Sequence, residues 1–302
     1  MPELENVHTD AILTNISVQY RNAAYVGTQL MPIVPVKKES DKYYIYDSKA
    51  TRFRIPDTLR APKTESKTVD WKVTDDTYSC NEHALNDLID DRERDNADKP
   101  LNLEVDTVEF LTDIILLGQE MRIKTVVEAN LSANTVETLW STPATSDPIV
   151  DIEAGKAAIH AVIFKDPNVL LLGRAVYDVL KHHPDILDRI KYVQKGVVTP
   201  ELMAAVFEVD KVIVGNAGYN TAKEGKTASY SYLWGKNAIL AYVEPRPGIK
   251  KFSLGYVFQS RAFQTRRARM ETKHSDWFEP SMIEDEKIVC ASCGYRIYPA
   301  VA

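Results

Sequence analysis

The sequence predicts an α+β fold organised around one long helix. Three observations predict it: an uninterrupted amphipathic run from Leu103 to Leu131, strand patterns lying before and well after that run, and an alternating α/β stretch over 149–258 inserted between the run and the last strands. Within the run, Val105, Val108, Leu111/Thr112, Ile115, Arg122, Val126 and Ala129 recur near a period of 3.6, flanked by Ile114 and Ile123. No proline interrupts it, so the helix would extend about 43 Å, enough to cross a small domain as its spine. Acids come early (Glu104, Asp106, Glu109, Asp113) and Arg122 and Lys124 late, the order the helix macrodipole favours. Gly118 is its weak point, at a cost of about 1 kcal/mol relative to alanine.

The 302 residues suffice for a sizeable core in two subdomains or one elaborate domain, with an ordinary soluble composition of 44% hydrophobic and 26% charged residues. The first ten residues are polar and acidic, with no secretory pattern, and no apolar stretch is long enough to span a membrane. Cys80, Cys290 and Cys293 form no even disulfide framework, which points to a reducing compartment. The net charge of −6 argues against a protein whose task is to grip duplex DNA by its phosphates.

Taken in order, residues 1–34 offer Ile12, Leu13, Ile16, Val18 and Tyr20 as packing groups without a core of their own, so they read as an arm that docks elsewhere. Pro32 and Pro35 make the end of that arm extended. From 35 to 80, strands at Tyr43–Tyr46 and at VDWKV (Val69–Val73) bracket a polar, proline-punctuated middle, a long two-stranded excursion with few core residues. Residues 81–147 contain the spine and end in the turn-rich WSTPATSDP. Over 148–259 the signals alternate. Asp151–Ile163 is helical, NVLLLG a buried strand, RAVYDVLKH and PDILDRI helices, ELMAAVFEV a helix with Thr199 as N-cap and Pro200 at N1, KVIVG a strand, and SYLWG and AILAYVE strands joined at Gly235. Residues 260–302 read as strands again, ending in a pair broken at Gly294, and must return to the region that holds the spine.

Charge is unevenly distributed. Residues 37–72 carry ten bases against six acids, a net +4, whereas 81–98 carry −5 and the spine from 104 to 130 a further −4. A two-stranded ribbon is marginal by itself in water, so the basic excursion needs a partner surface. The acidic block, of this chain or of a neighbour, is its electrostatic complement in the sequence.

The chemical motifs are sparse. NTAKEGKT (Asn220–Thr227) resembles a phosphate-binding loop with its first glycine replaced, but strand rather than helix follows it, so it reads as a polar hairpin loop. Cys80-x-x-His83 and Cys290-x-x-Cys293 could together supply four zinc ligands, yet Cys290 sits in a strand pattern, and packed or surface thiols without metal are the preferred reading. His182 and His183 suit the cationic preference of a helix C-terminus. Arg261, Arg266, Arg267 and Arg269 form a dense basic cluster with only Phe263 among them, which suits salt bridges or subunit contacts better than nucleic acid. No catalytic signature appears, so no catalytic residue and no cofactor is assigned.

The order of parts, together with the strings TNISVQYRNAAYVGTQLMPIVPVKKESDKYYIYD, RERDNADKPLNLEVDTVEFLTDIILLGQE and PNVLLLGRAVYDVLKHHPDILDRIKY, resembles the major capsid proteins of tailed bacteriophages, the Hong Kong 97-type fold. The resemblance implies an N-arm (1–34), an extended β-hairpin loop (35–80), a peripheral domain (81–147 with 260–302) and an inserted α/β axial domain (148–259). It implies hexamers and pentamers of the chain closing into an icosahedral shell around double-stranded DNA, without sequence-specific binding or membrane contact. Portal and decoration proteins would be further partners. The short stretch before the loop suggests a separate scaffolding protein. The protein would reside in the virion after assembly in the host bacterial cytoplasm, and its acidic balance would let packaged DNA slide without sticking. The extended loop would lie on a neighbouring subunit, with Arg52, Arg54, Arg60 and Lys63 meeting Glu104, Asp106, Glu109 and Asp113. Alternatives are an encapsulin-like shell loaded with protein cargo and, from another class, a soluble enzyme whose 149–258 lobe binds a ligand.

Overall fold

The computed structural model describes residues 7–9, 13–14, 17, 22, 24–45, 55, 57–68, 74–96, 102–191, 198–248 and 251–302. The spine is a single helix, Leu103–Asn130, that runs straight through Gly118. Its buried stripe comprises Val108, Leu111, Thr112, Ile115, Gln119, Glu120, Ile123 and Val127. The periodicity places the first half of that stripe correctly, but in the second half Ile123 and Val127 face the core while Arg122 and Val126 are half-buried and Ala129 is exposed. Gln119 and Glu120 hold buried positions in the middle, and an apolar template loses its phase there.

The spine packs along one strand of a long antiparallel hairpin, Gly255–Met270 and Ser275–Ile288, turned by Glu271–Lys273 with His274 in the left-handed region at φ 50°. Around this hairpin a six-stranded sheet forms. Val7–Thr9 covers one edge, pairing with Arg266–Ala268, and Asn81–Ala84 and Asp87–Asp90 line the other. The arm thus docks on its own chain, with Ser17 Oγ 2.9 Å from Thr265 Oγ1. Of its five expected packing groups, Leu13 is buried, while Ile12, Ile16, Val18 and Tyr20 lie outside the described residues. Ile33–Pro35 runs parallel to Val257–Gln259, as the two prolines require of an edge segment.

The excursion is a two-stranded ribbon, Ser40–Ile45 against Thr74–Ser79. The first expected strand is present through Ile45; Val69–Val73 lies outside the described residues. The ribbon base is held by aromatic packing, with Tyr43 and Tyr78 buried against Phe258 at ring separations of 5.2 and 4.7 Å. Tyr43 also donates to Asp76 at 3.1 Å, and Ser79 N donates to Asp285 at 2.8 Å. Beyond the base, the described residues of 55–68 are all exposed.

The inserted lobe carries a five-stranded sheet in the order Ala133–Asn134, Gly294–Ile297, Ala238–Ala241, Val169–Gly173, Lys211–Gly215. The last two strands are parallel, and helices Arg174–Leu180, Pro184–Ile190 and Pro200–Phe207 connect them. Thr199 caps as expected, and Asp147 caps Pro148–Ile163 by accepting from Ile149 N and Val150 N. Gly173 is obligatory, because a Cβ there would stand 2.0 Å from the Gly235 carbonyl oxygen. The polar string Asn220–Thr227 bridges a small hairpin, Gly218–Asn220 with Tyr230–Tyr232.

Two expectations about the C-terminal part need correction. The boundary at 259 falls inside the Gly255–Met270 strand. The last strand does not pair with its predecessor. After Ile288 the chain turns through Ala291–Cys293 into Gly294–Ile297, which inserts in the lobe sheet, and Trp140 N donates to Ala300 O at 2.9 Å. The gap left beside Ala238–Ala241 requires a strand, since an open buried edge would orphan its backbone groups. One continuous core therefore runs from Ile123 and Val127 of the spine through Trp140 and Trp234 into Leu170–Leu172.

Glu120 sits where arm, spine and lobe meet. Its carboxylate, 2% exposed, accepts from Val26 N at 3.0 Å, Gly27 N at 2.7 Å and Trp234 Nε1 at 2.7 Å. Burial raises its pKa against the pull of those three donors. Glu120→Ala would strand three buried donors at about 1–3 kcal/mol each, so urea unfolding should show a loss of at least about 3 kcal/mol. Glu120→Gln, which keeps the shape and one acceptor oxygen, should lose less. Equal stability of Glu120→Ala and the parent would contradict this junction.

Candidate assembly surfaces

The acidic block has a partner within its own chain. Arg267 donates to Glu104 at 3.2 and 3.3 Å and to Asp276 at 2.9 Å. Arg269 reaches Asp91 at 2.5 Å and Asp276 at 3.3 Å, and Arg266 lies 3.5 Å from Glu82 and 3.3 Å from Glu279. Arg94 completes the network, contacting Asp276 and lying 3.4 Å from Glu104. Burial alone would raise the Asp276 carboxyl, and the hydrogen bonds from Arg94, Arg267 and Arg269 outweigh it and hold the pKa below its ordinary value. Of the four arginines for which the sequence suggested salt bridges or subunit contacts, Arg266, Arg267 and Arg269 form salt bridges within the chain, and Arg261 is exposed. The sequence did not show that their partners are the acids expected to receive a neighbour.

The eight contact candidates accordingly separate. Arg52 and Arg54 lie outside the described residues. Arg60 and Lys63 are exposed beyond the ribbon. Glu104 is engaged by Arg267, and Asp113 accepts from Asn22 Nδ2 and Tyr25 OH, both at 3.0 Å, so these two acids are committed to their own chain. Asp106 is exposed and Glu109 half-buried, and among the described residues neither carboxylate has an ion-pair partner. They are the two acids of the set still open to another copy.

The four zinc candidates do not converge: among the described residues, no group of three or more His, Cys, Asp or Glu side chains is placed to hold a metal ion. Cys80 belongs to the aromatic cluster at the ribbon base, where its thiol donates to Phe258 O at 3.4 Å. Cys290 and Cys293 are buried in the main core around the Ala291–Cys293 turn, so Cys290 is not inside a strand. Burial pushes the Cys80 thiol up to about 11 and also raises Cys293, which is hydrogen-bonded to Cys290. His182 and His183 follow the C-terminus of helix Arg174–Leu180, where their N–H groups donate to Val179 O and Leu180 O, both at 3.1 Å. His183 departs from expectation in its burial: it is 1% exposed, with Nε2 3.0 Å from Ser146 Oγ, and it also stands at the N-cap of helix Pro184–Ile190.

Two features escaped the sequence reading. The first is a buried charge cluster between spine and hairpin. Arg122 reaches Glu284 at 2.5 Å and Glu286 at 2.8 Å, and Gln119 donates to Glu284 at 2.6 Å. Two carboxylates share one guanidinium, and neither Glu284 nor Glu286 is more than 7% exposed. The second is apolar exposure. On the spine Phe110 is 63% and Ile114 39% exposed, with Leu85 at 38% near them, and beyond the ribbon Ile55 is 97% and Leu59 83% exposed. Phe110 and Ile114 stand one turn apart, outside the main stripe, and that second stripe was the available signal.

Glu284 makes stability depend on pH. Burial, then the charge of Glu286, pushes its carboxyl up to about 7, against the opposing pull of Arg122 and Gln119. A folded-state pKa above the unfolded value gives stability that is fully present below the ordinary Glu range and is lost as pH rises through the folded value. Unfolding free energy should therefore fall as pH rises from the ordinary value of 4.5 to about 7, by at most about 1.4 kcal/mol per pH unit from this group, and level off above that. Glu284→Gln should flatten that slope in denaturant titrations at several pH values. An unchanged slope would remove Glu284 as its source.

No family model matches the chain. It is 32% identical over 304 residues to the major capsid protein of Burkholderia phage BcepMu, covering 95% of each chain. It is 32% identical over 242 residues to the major capsid protein of Pseudomonas phage JBD67, covering 77% of this chain and 76% of that one. A crystal structure of a phage-related protein from Bordetella bronchiseptica RB50 superposes with a TM-score of 0.77 at 26% identity, over 97% of both chains. Capsid chains of a cyanophage, a Microbacterium phage and a GTA particle, at 9–10% identity, share the fold alone. With its ribbon, hairpin-backed spine and inserted lobe, the chain has the Hong Kong 97-type fold and belongs to the phage major capsid protein family.

Proposed function

We propose that this chain builds an icosahedral shell around double-stranded DNA through hexamers and pentamers, as a structural subunit without a catalytic step. Its likeness along nearly its whole length to a phage major capsid protein carries this reading. In this reading 1–34 is the N-arm, 35–80 the extended loop, 81–147 with the long hairpin the peripheral domain, and the 148–254 lobe, completed by 294–302, the axial domain. The partners are further copies of the chain, a separate scaffolding protein, a portal and decoration proteins, with assembly in the host bacterial cytoplasm. DNA would be enclosed without sequence-specific contacts, in keeping with the net charge of −6.

The extended loop is proposed to lie on an adjacent subunit. The exposed 57–68 segment and its bases Arg60 and Lys63 support this, because an excursion of this size with no cover from its own chain needs one elsewhere. Size-exclusion chromatography with negative-stain microscopy tests the shell itself: shells or hexameric rings are expected, and a compact monomer under all assembly conditions would overturn the proposal. Particles containing protein cargo and no DNA would mark an encapsulin-like compartment. Reversing charge at Arg52, Arg54 and Arg60 together should leave the chain folded by circular dichroism and reduce particle yield at least about tenfold, on the order of 1.4 kcal/mol for the three together. Full yield would sink the docking of the loop.

A further inference from the structure

Cys290 and Cys293 form a pair that the shell reading does not use. The segment between them folds as a tight turn, in which Cys293 N donates to Cys290 O at 3.1 Å. An i to i+3 bond of this kind closes a turn whose end Cα atoms lie within about 7 Å, a separation that a disulfide can bridge. The two thiols are also hydrogen-bonded to each other, so sulfur faces sulfur. Cysteines that only fill space as small apolar groups do not require that contact. A metal does not account for it either, because among the described residues no third His, Cys, Asp or Glu joins the pair. Cys80, the remaining cysteine, packs in a different cluster, with its thiol on Phe258 O.

The turn lies at a seam. Val289 N and Cys290 N both donate to Leu254 O, at 2.9 and 3.1 Å, and Tyr242 N donates to Cys293 O at 2.8 Å. Leu254 immediately precedes the first strand of the long hairpin, and Cys290 follows its return strand, which ends at Ile288. Gly294 then opens the strand that inserts in the lobe sheet. A Cβ on Gly294 would stand 2.8 Å from Leu254 Cδ1 and 2.9 Å from Leu131 Cδ1, at the end of the spine. Spine, hairpin and lobe thus all press on this turn and hold its two sulfurs together. Cys293 is fully buried, whereas Cys290 is 6% exposed. Burial also raises the Cys293 thiol, which leaves Cys290 as the sulfur that a small reagent meets first.

We propose that Cys290 and Cys293 are a dithiol–disulfide site, oxidised by low-molecular-weight disulfides of the glutathione class, whose bond staples the turn between hairpin and lobe. Cys290 loses its proton and its Sγ attacks one sulfur of the small disulfide. The small disulfide splits, and its departing sulfur takes up a proton to leave as a thiol. Cys293 then loses its proton, and its Sγ displaces the second small thiol from Cys290. Two protein thiols are oxidised, one small disulfide is reduced to two small thiols, and the protons balance. In a reducing compartment the pair stays as thiols, and the bond closes when the surrounding small-molecule pool turns oxidising. The site belongs to the single chain and needs no neighbouring copy.

Thiol titration of the folded chain, reduced and then incubated with oxidised glutathione, tests this. Opened in denaturant without reductant, the untreated chain should show its three thiols and the treated chain one, two having joined. Peptide mapping should place the bond between Cys290 and Cys293. Cys293→Ala should trap a glutathione adduct on Cys290, whereas Cys290→Ala should take up none, which separates the attacking thiol from the resolving one. Cys80→Ala should oxidise as the parent does and unfold at a higher temperature once oxidised, because the bond restricts the unfolded chain. Three thiols persisting after treatment, glutathione retained on the parent in place of an internal bond, or an oxidised chain that unfolds no higher than the reduced one would each overturn the proposal.

Discussion

The spine, about 42 Å long, places polar side chains in its buried stripe, and each must find a partner because an unpaired buried polar group is costly. Gln119 and Glu120 occupy buried positions and Arg122 a half-buried one, each matched to a different part of the chain: Glu120 to the arm and Trp234, Gln119 and Arg122 to Glu284 and Glu286 of the hairpin. Because an unpaired buried charge costs far more than an apolar contact returns, these pairings fix the rotation and register of the spine more sharply than its aliphatic residues can. The rest of the fold follows from that placement. The hairpin lies on one side and the lobe core grows from the C-terminal half, leaving the row of Phe110, Ile114 and Gly118 facing outward.

The elements legible in the sequence were those with a strong period or punctuation: the spine, the proline-bounded edge strand, the ribbon, and the fully buried Val169–Gly173 strand with its cap-marked helices. What escaped was long-range. Gly294–Ile297 has the same local pattern whether it pairs with Ser275–Ile288 or inserts beside Ala238–Ala241, and only the open position in the lobe sheet decides. The phase slip in the spine arises because Glu120 reads as surface, although three donors from distant segments make its burial tolerable.

The charge asymmetry illustrates the same limit. Counting charges along the chain correctly separated a basic excursion from an acidic block, but cannot say which base meets which acid. Arg267 and Glu104 are 163 residues apart and are partners. Once the hairpin arginines have taken Asp91, Glu104 and Asp276, and Asn22 and Tyr25 have taken Asp113, the acids of the spine's N-terminal half without an ion-pair partner among the described residues are Asp106 and Glu109, while Asp87, Glu93 and Asp95 stay exposed before the spine. What remains there is a mixed face, apolar along Phe110 and Ile114 and acidic at its N-terminal end. Such a face suits an interface that must be specific without being permanent in the free chain.

The central claim is the proposal that the loop, exposed in the free chain, is covered by an adjacent subunit in the shell. Hydrogen–deuterium exchange compared between unassembled chain and intact particles tests this most directly. The account predicts that amides of 57–68 exchange rapidly in the free chain and become protected on assembly, while the Val169–Gly173 strand is slow in both states. Equal, rapid exchange of 57–68 in particle and free chain would contradict it.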